Sequence, residues 1–285
     1  MLDIFSAMTS AERVAQRAAY RQFLLERDGE PNIEQRTFSR RELGMERFKK
    51  PLPRLREIDR DQFFQQHALN FSAKLETLPP EAKLLLALVT INGAEGYAVD
   101  QNYELVLGRV QRGEEDDIEL LLHIEESYHG RILLSSAVLY GLEVKESVPP
   151  PASFRALIIA MTRSPDLIAR PLIMAGELVS LATLLNLFHA AGDILKHDAE
   201  LRDAVEDRLI EVLTDEVGHI TFNRMSLGAT GLACVRSMLP AVAAASLRMM
   251  PSLRSTGLLP TVRQVLLATD PARLPDAVRR GAFLA

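Results

Sequence analysis

The 285-residue sequence predicts an all-α protein: four long helices in an antiparallel bundle with one long crossover, extended at both ends by further helices. Three observations predict it. Gly and Pro stand at only 15 each, too few turn formers for a many-stranded β fold. Between residues 81 and 228 the helical patterns are long, and the stops are Pro79-Pro80, Gly141, Pro149-Pro150-Pro151 and Gly228. The connections left between these stops are short, long and short, the order that joins two antiparallel helix pairs by one crossover.

The elements follow in order. Thr9-Ser10-Ala11-Glu12 starts a helix, with Ser10 as a cap, and an amphipathic run continues to about Glu26. Asp28-Gly29-Glu30-Pro31 ends it. The Pro- and Arg-rich stretch from Lys49 to Arg60 reads as a surface connection, and a helix is expected over about 60–76. The first bundle helix runs from after Pro80 to about Arg112 and the second from about Glu114 to Tyr140. A short helix over 152–162 lies in the crossover. The third bundle helix spans about Pro165 to Lys196 and the fourth about Ala199 to Leu227. Gly231, Pro240, Pro251, Gly257, Pro260, Pro271 and Pro275 then predict a tail of short, repeatedly broken helices. The expected organisation is an extension over 1–80, the bundle over 81–228 and a packed tail over 229–285.

Hydrophobic residues make up 47% of the chain, enough for a sizeable core. The single Cys234 excludes an intrachain disulfide framework and a cysteine-rich metal cluster. A metal site would have to draw on carboxylates and the six His. Net charge is −5, which argues against generic nucleic-acid binding. The charge is segregated: +2 over residues 1–80, −12 over 81–228 and +5 over 229–285. The N-terminus lacks the apolar run of a signal peptide, and the two longest uncharged stretches, 84–99 and 171–188, are each interrupted by one Glu. A cytoplasmic protein without a membrane span is the expectation.

Those two interruptions lead to the chemistry. Glu177 is the only charge from Pro171 to Phe188, and Glu95 the only charge from Leu84 to Val99. A helix apolar nearly all round is buried, and an isolated buried carboxylate must be paired, protonated or metal-bound. The second and fourth bundle helices each carry Glu-x-x-His, as Glu126–His129 and Glu216–His219. Residues three apart share a helix face, so each pair presents an oxygen and a nitrogen to one point. Glu95 and Glu126 are 31 residues apart, and Glu177 and Glu216 are 39 apart, both suited to a helical hairpin. Each half of the bundle thus offers one Glu followed by one Glu-x-x-His.

On these residues, 81–228 resembles the ferritin-like diiron-carboxylate superfamily, which includes soluble oxygenases, acyl-carrier-protein desaturases, ribonucleotide reductase small subunits and arylamine N-oxygenases. The resemblance implies a ferritin-like four-helix bundle in which Glu95, Glu126, His129, Glu177, Glu216 and His219 hold two iron ions, with a manganese–iron pair as the other option. It also implies that Glu125 and Asp215, the acids preceding each motif Glu, hydrogen-bond ligand imidazoles from outside and tune their basicity. Ser180, one turn beyond Glu177, either relays a proton or bonds the carbonyl of residue i−4. His123 is an outer partner of the site or a core residue. Asn92 and Asn223 line the site or satisfy neighbouring polar groups. Leu133 stands where a radical tyrosine would be in a reductase subunit, and Val212 where the well-studied N-oxygenases carry an extra His.

The functional expectation is a non-haem diiron oxygenase or oxidase that uses dioxygen to hydroxylate, desaturate or N-oxygenate a small organic or carrier-bound substrate. An external electron donor would supply reducing equivalents, because the chain has no rubredoxin-type Cys pairs. A homodimer is compatible with the sequence. A ferroxidase or peroxide-consuming metal protein, and a metal-free helical interaction protein, remain open alternatives.

Overall fold

The computed structural model describes residues 4–284 apart from Leu55, Asn92 and Glu115. It is all-α, with 73% of residues in helices and 1% in strands. In chain order the elements are α1 (Ser10–Asp28), a two-stranded hairpin of β1 (Pro31–Asn32) and β2 (Thr37–Phe38), α2 (Ser39–Met45), α3 (Arg60–Leu69), α4 (Pro80–Ile91), α5 (Gly93–Gln111), α6 (Ile118–Leu134), α7 (Ala152–Thr162), α8 (Asp166–Ile194), α9 (Ala199–Ser226), α10 (Ala229–Arg248), α11 (Pro251–Arg254), α12 (Val262–Ala268) and α13 (Asp276–Gly281). The chain forms two compact units. One comprises 1–20, 74–84 and 163–285; the other comprises 21–73 and 85–162.

The first unit is built on α8 and α9. Residues 195–198 join them, and Asp198 caps α9 by accepting from the Leu201 amide at 3.1 Å. Such a short link makes the pair antiparallel. α8 is apolar nearly all round because three helices of its own unit, α9, α10 and α12, pack on it. Leu178, Leu184, Leu187, Leu209 and Leu213 are among the side chains this closes from solvent. Full burial of one leucine contributes roughly 1.5–3 kcal/mol, so this helix is held by its neighbours rather than by its own propensity. Asp166 in its first turn lies at the positive end of the helix dipole.

The second unit is built on α5 and α6, with α7 packed on α5. The hairpin residue Phe38 is fully buried, and Tyr103 donates to the Ile33 carbonyl at 2.7 Å, tying the hairpin to α5. Between α6 and α8 lie a 3-10 turn (Ser135–Tyr140), a left-handed Gly141 (φ 65°), the triproline and α7. The short, long and short connections are therefore present.

Four local features differ from the sequence expectation. The helix expected from about Glu114 to Tyr140 ends at Leu134, and Ser135–Tyr140 tightens to 3-10 geometry on the way to Gly141. The helix expected over 60–76 ends at Leu69. There Asn70 adopts φ 49° and donates its side-chain amide to the carbonyls of Val148 and Pro149, at 2.8 and 3.0 Å. The tail is less broken than its prolines suggest, because α10 runs for 20 residues through Gly231 and Pro240. Its buried Leu232, Val235, Leu239 and Ala243 recur at helical spacing, and that packing outweighs the missing Pro240 amide. The hairpin and α2 lie in a stretch for which no element was expected.

Three stretches, Pro80–Gln111, Asp166–Ile194 and Ala229–Arg248, are long and apolar enough to cross a membrane by length and composition alone.

Candidate metal centre

In the first unit, α8 carries Glu177 while α9 carries Glu216 and His219 on one face. One ligand atom from each of the three lies within 4.8 Å of the others. Ligands held about 2.1 Å from a single ion can be at most about 4.2 Å apart, so the trio closes on an ion with side-chain shifts of a few tenths of an ångström. Glu216 and His219 are buried, at 0% and 2% exposure, whereas Glu177 is half-buried rather than sealed in the core. Two carboxylates and an imidazole converging in this way form a group that could hold a metal ion.

The motif interior explains how α9 is set in place. Gly218 stands between Glu216 and His219, and a Cβ there would lie 2.8 Å from the Tyr20 hydroxyl oxygen and 3.1 Å from its ring. Tyr20 is itself fully buried, with its ring centroid 5.0 Å from that of Phe283 and 6.1 Å from that of Phe222. Only glycine lets the tyrosine ring lie this close to the helix backbone. On the same helix, Thr221 shares its hydroxyl proton between the carbonyls of Val217 and Phe283, at 2.9 and 3.1 Å. Asp215 is buried at 3% exposure. Asn223 is buried too and donates to the His219 carbonyl at 3.0 Å, so it satisfies its own helix. Ser180 is half-buried one turn beyond Glu177.

The second unit carries the other expected ligands. His129 is fully buried, with Nδ1 3.0 Å from Glu126 Oε2, so the i, i+3 pair shares a face. Glu95 lies half-buried in the first turn of α5. Among the described residues, this unit brings no three metal-capable side chains to one point by itself. His123 donates Nδ1–H to the Glu119 carbonyl at 2.8 Å, which leaves Nε2 as its only ring acceptor. Asn92 lies outside the described residues.

Two ion networks, neither foreseen, fasten α2 to α6. Arg41 is buried at 5% exposure and bridges Asp28 at 3.1 Å and Glu125 at 3.2 Å, both of which are 1% exposed. Glu125, the acid before the motif Glu, thus meets an arginine from the N-terminal region. The second network joins Glu42 to Arg131 through two contacts of 2.8 and 2.9 Å, and Tyr128 donates to Glu42 at 3.0 Å. The Arg131 hydrogen bonds hold the Glu42 carboxyl down at about 2. Burial, followed by the hydrogen bond to Glu42, pushes the Tyr128 phenol up to about 12. A glycine inside a metal-ligand motif was a usable signal for close approach, since glycine costs about 1 kcal/mol in a helix interior. Nothing local marked Arg41 as a core residue.

No family model, curated protein or solved structure matches this chain.

Proposed function

We propose that the chain is a ferritin-like, non-haem diiron oxygenase or oxidase. The observation that carries the reading is the convergence of Glu177, Glu216 and His219 in the first unit, at the positions where the sequence placed one Glu and one Glu-x-x-His. The second unit repeats that set as Glu95, Glu126 and His129, and in this reading it supplies the other half of a dimetal centre. Carboxylate oxygens with imidazole nitrogens and no thiolate suit iron or manganese. When bound, such a pair of ions supplies dioxygen activation for hydroxylation, desaturation or N-oxygenation of an organic substrate.

The chain's own residues have the supporting tasks. Glu216 and His219, both sealed from solvent, hold their donor atoms without competition from bulk water. Tyr20 against Gly218 fixes the height and rotation of the helix that carries them. Arg41 and Glu125 fix α6 next to Glu126. Metal analysis of freshly purified protein tests the reading. About two ions per chain are expected under iron-replete expression, and fewer than about one sinks it. Glu177→Ala should abolish two-metal binding, and an unchanged stoichiometry would refute the ligand assignment. Product analysis with dioxygen, an external electron donor and candidate substrates then separates an oxygenase from a ferroxidase.

A further inference from the structure

The first unit also holds a crevice on the flank of α8 and α9. Leu178 and Leu181 of α8 and Val217 and Ile220 of α9 line it from the helices, and Ala268, Leu274 and Leu284 line it from the tail. All four helix residues are buried. Their places in the sequence tie the crevice to the metal-ligand trio. Leu178, Val217 and Ile220 directly follow Glu177, Glu216 and His219, and neighbours on a helix point about 100° apart. Leu181 and Ile220 stand one turn beyond Glu177 and Glu216 and so share their faces. The crevice therefore runs alongside the ligand face of both helices, and Leu181 and Ile220 belong to both. Its size and lining select what it can take. The volume is about 40 Å³. That exceeds the roughly 10–15 Å³ one water-sized sphere needs and falls far below the ~150 Å³ of a cavity that admits benzene. An ordered water needs about two to four polar partners, and the crevice offers little to hold one. Its polar side chains are those of Thr221 and Thr269. Thr221 gives its hydroxyl proton to the carbonyls of Val217 and Phe283, and Thr269 donates to the Leu266 carbonyl at 2.8 Å. No charged side chain lines it. A guest must be small, apolar and uncharged.

We propose that this crevice is a dioxygen-binding site that holds the gas beside Glu177, Glu216 and His219. Dioxygen is small, has no net dipole and dissolves better in hydrocarbon than in water, so an aliphatic crevice concentrates it relative to solvent. The crevice is partly open, so gas enters it without unfolding of the tail. The gas site stands on volume and lining alone. Its use as the supply to a metal centre rests on the diiron reading.

Dioxygen is paramagnetic, so NMR under gas pressure reads the site directly in the full chain, methyl-labelled and without added metal. The methyl signals of Leu178, Leu181, Val217 and Ile220 should relax faster under dioxygen than those of Leu209 and Leu213, which are at least as deeply buried in the same unit but do not line the crevice. Ala268→Leu fills the crevice from the tail and should abolish the difference, whereas Leu284→Ala widens it and should keep or enlarge the difference. In iron-loaded protein, Ala268→Leu should slow the reaction of the ferrous form with dioxygen, by about tenfold for a crevice closed about nine-tenths of the time. Equal relaxation of lining and non-lining methyls in wild type overturns the proposal. So does a difference that survives Ala268→Leu, or one that Leu284→Ala removes from a chain with an unchanged melting temperature. An Ala268→Leu protein that loses gas contact yet is oxidised at the wild-type rate overturns the supply role. A wild-type chain that binds no iron sinks the diiron reading instead, and the methyl signals still decide the gas site.

Discussion

Gly218→Ala is the most discriminating single perturbation of the α9 motif. At an unencumbered helix position this change stabilises by about 1 kcal/mol, because alanine loses less backbone freedom on folding. Here the new methyl would lie 2.8, 3.1 and 3.3 Å from the Oη, Cε2 and Cζ atoms of Tyr20, well inside the ~3.5–4.0 Å optimum for carbon contacts. Tyr20 is fully buried between Phe222 and Phe283 and has little room to retreat. Overpacking of this kind costs about 1–3 kcal/mol, so the net expectation is a loss of about 0–2 kcal/mol. A double-mutant cycle isolates the clash. In a Tyr20→Ala background, itself destabilised by about 3–5 kcal/mol, Gly218→Ala should stabilise by its helix-propensity term of about 1 kcal/mol. Thermal and urea denaturation of the four proteins give a coupling of about 1–3 kcal/mol if Tyr20 is the obstacle. Metal affinity should fall in the single variant, because the displaced turn carries both Glu216 and His219. A coupling within about 0.5 kcal/mol of zero, or a Gly218→Ala protein more stable than wild type, would refute the reasoning.

Arg41→Met should destabilise by about 3–5 kcal/mol, because Asp28 and Glu125 would remain as buried like charges, and adding Asp28→Asn with Glu125→Gln should restore most of the loss. Thermal melts of the single and triple variants check this, and a single variant as stable as wild type would contradict the buried network. Glu42 titrates at about 2 in the folded chain against 4.5 when unconstrained, so its contribution is complete above about pH 4.5 and is lost as pH falls toward 2. With the side chain 44% exposed, solvent screening limits that contribution to roughly 1 kcal/mol, and Glu42→Gln should flatten the stability profile of wild type across that window. His67 is pushed below its usual value of 6.5 by burial, so the unfolded chain binds its proton more readily and stability declines as pH falls below about 6.5. His67→Gln should remove that part of the decline, and an unchanged slope in pH-dependent melts would show that another group causes it.

Long periodic elements were the legible part of this chain. The α8 and α9 boundaries sit within two residues of the expected Pro165–Lys196 and Ala199–Leu227, because helices of this length are dictated by their stops and by a core-facing surface. The three-residue spacing of Glu216 and His219 was enough to place both on one face, and the isolated Glu177 led to the carboxylate that meets them. What escaped was tertiary. The hairpin at Pro31–Phe38 has only two residues per strand, below the length at which alternation can be read. Arg41 sits in a seven-residue helix of mostly polar composition, and its burial depends on two acids 13 and 84 positions away. Helix periodicity carries no record of such pairings. Asn70 likewise ended a helix through a left-handed turn fastened to a carbonyl 78 residues distant.

The burial of Tyr20 against α9 also sets a timetable for the nascent chain. The unit containing that contact draws on residues 1–20, 74–84 and 163–285, so its opening segment is synthesised long before most of its partners. At roughly 5–20 residues per second, Tyr20 waits on the order of 10–40 s for Gly218 and Phe222 to be made. During that interval the other unit, 21–73 and 85–162, is completed, whereas the early part of α1 has only residues 74–84 of its own unit beside it. The first unit therefore cannot mature in the order of synthesis, and a factor that shields α1 on the ribosome would raise the yield of folded chain.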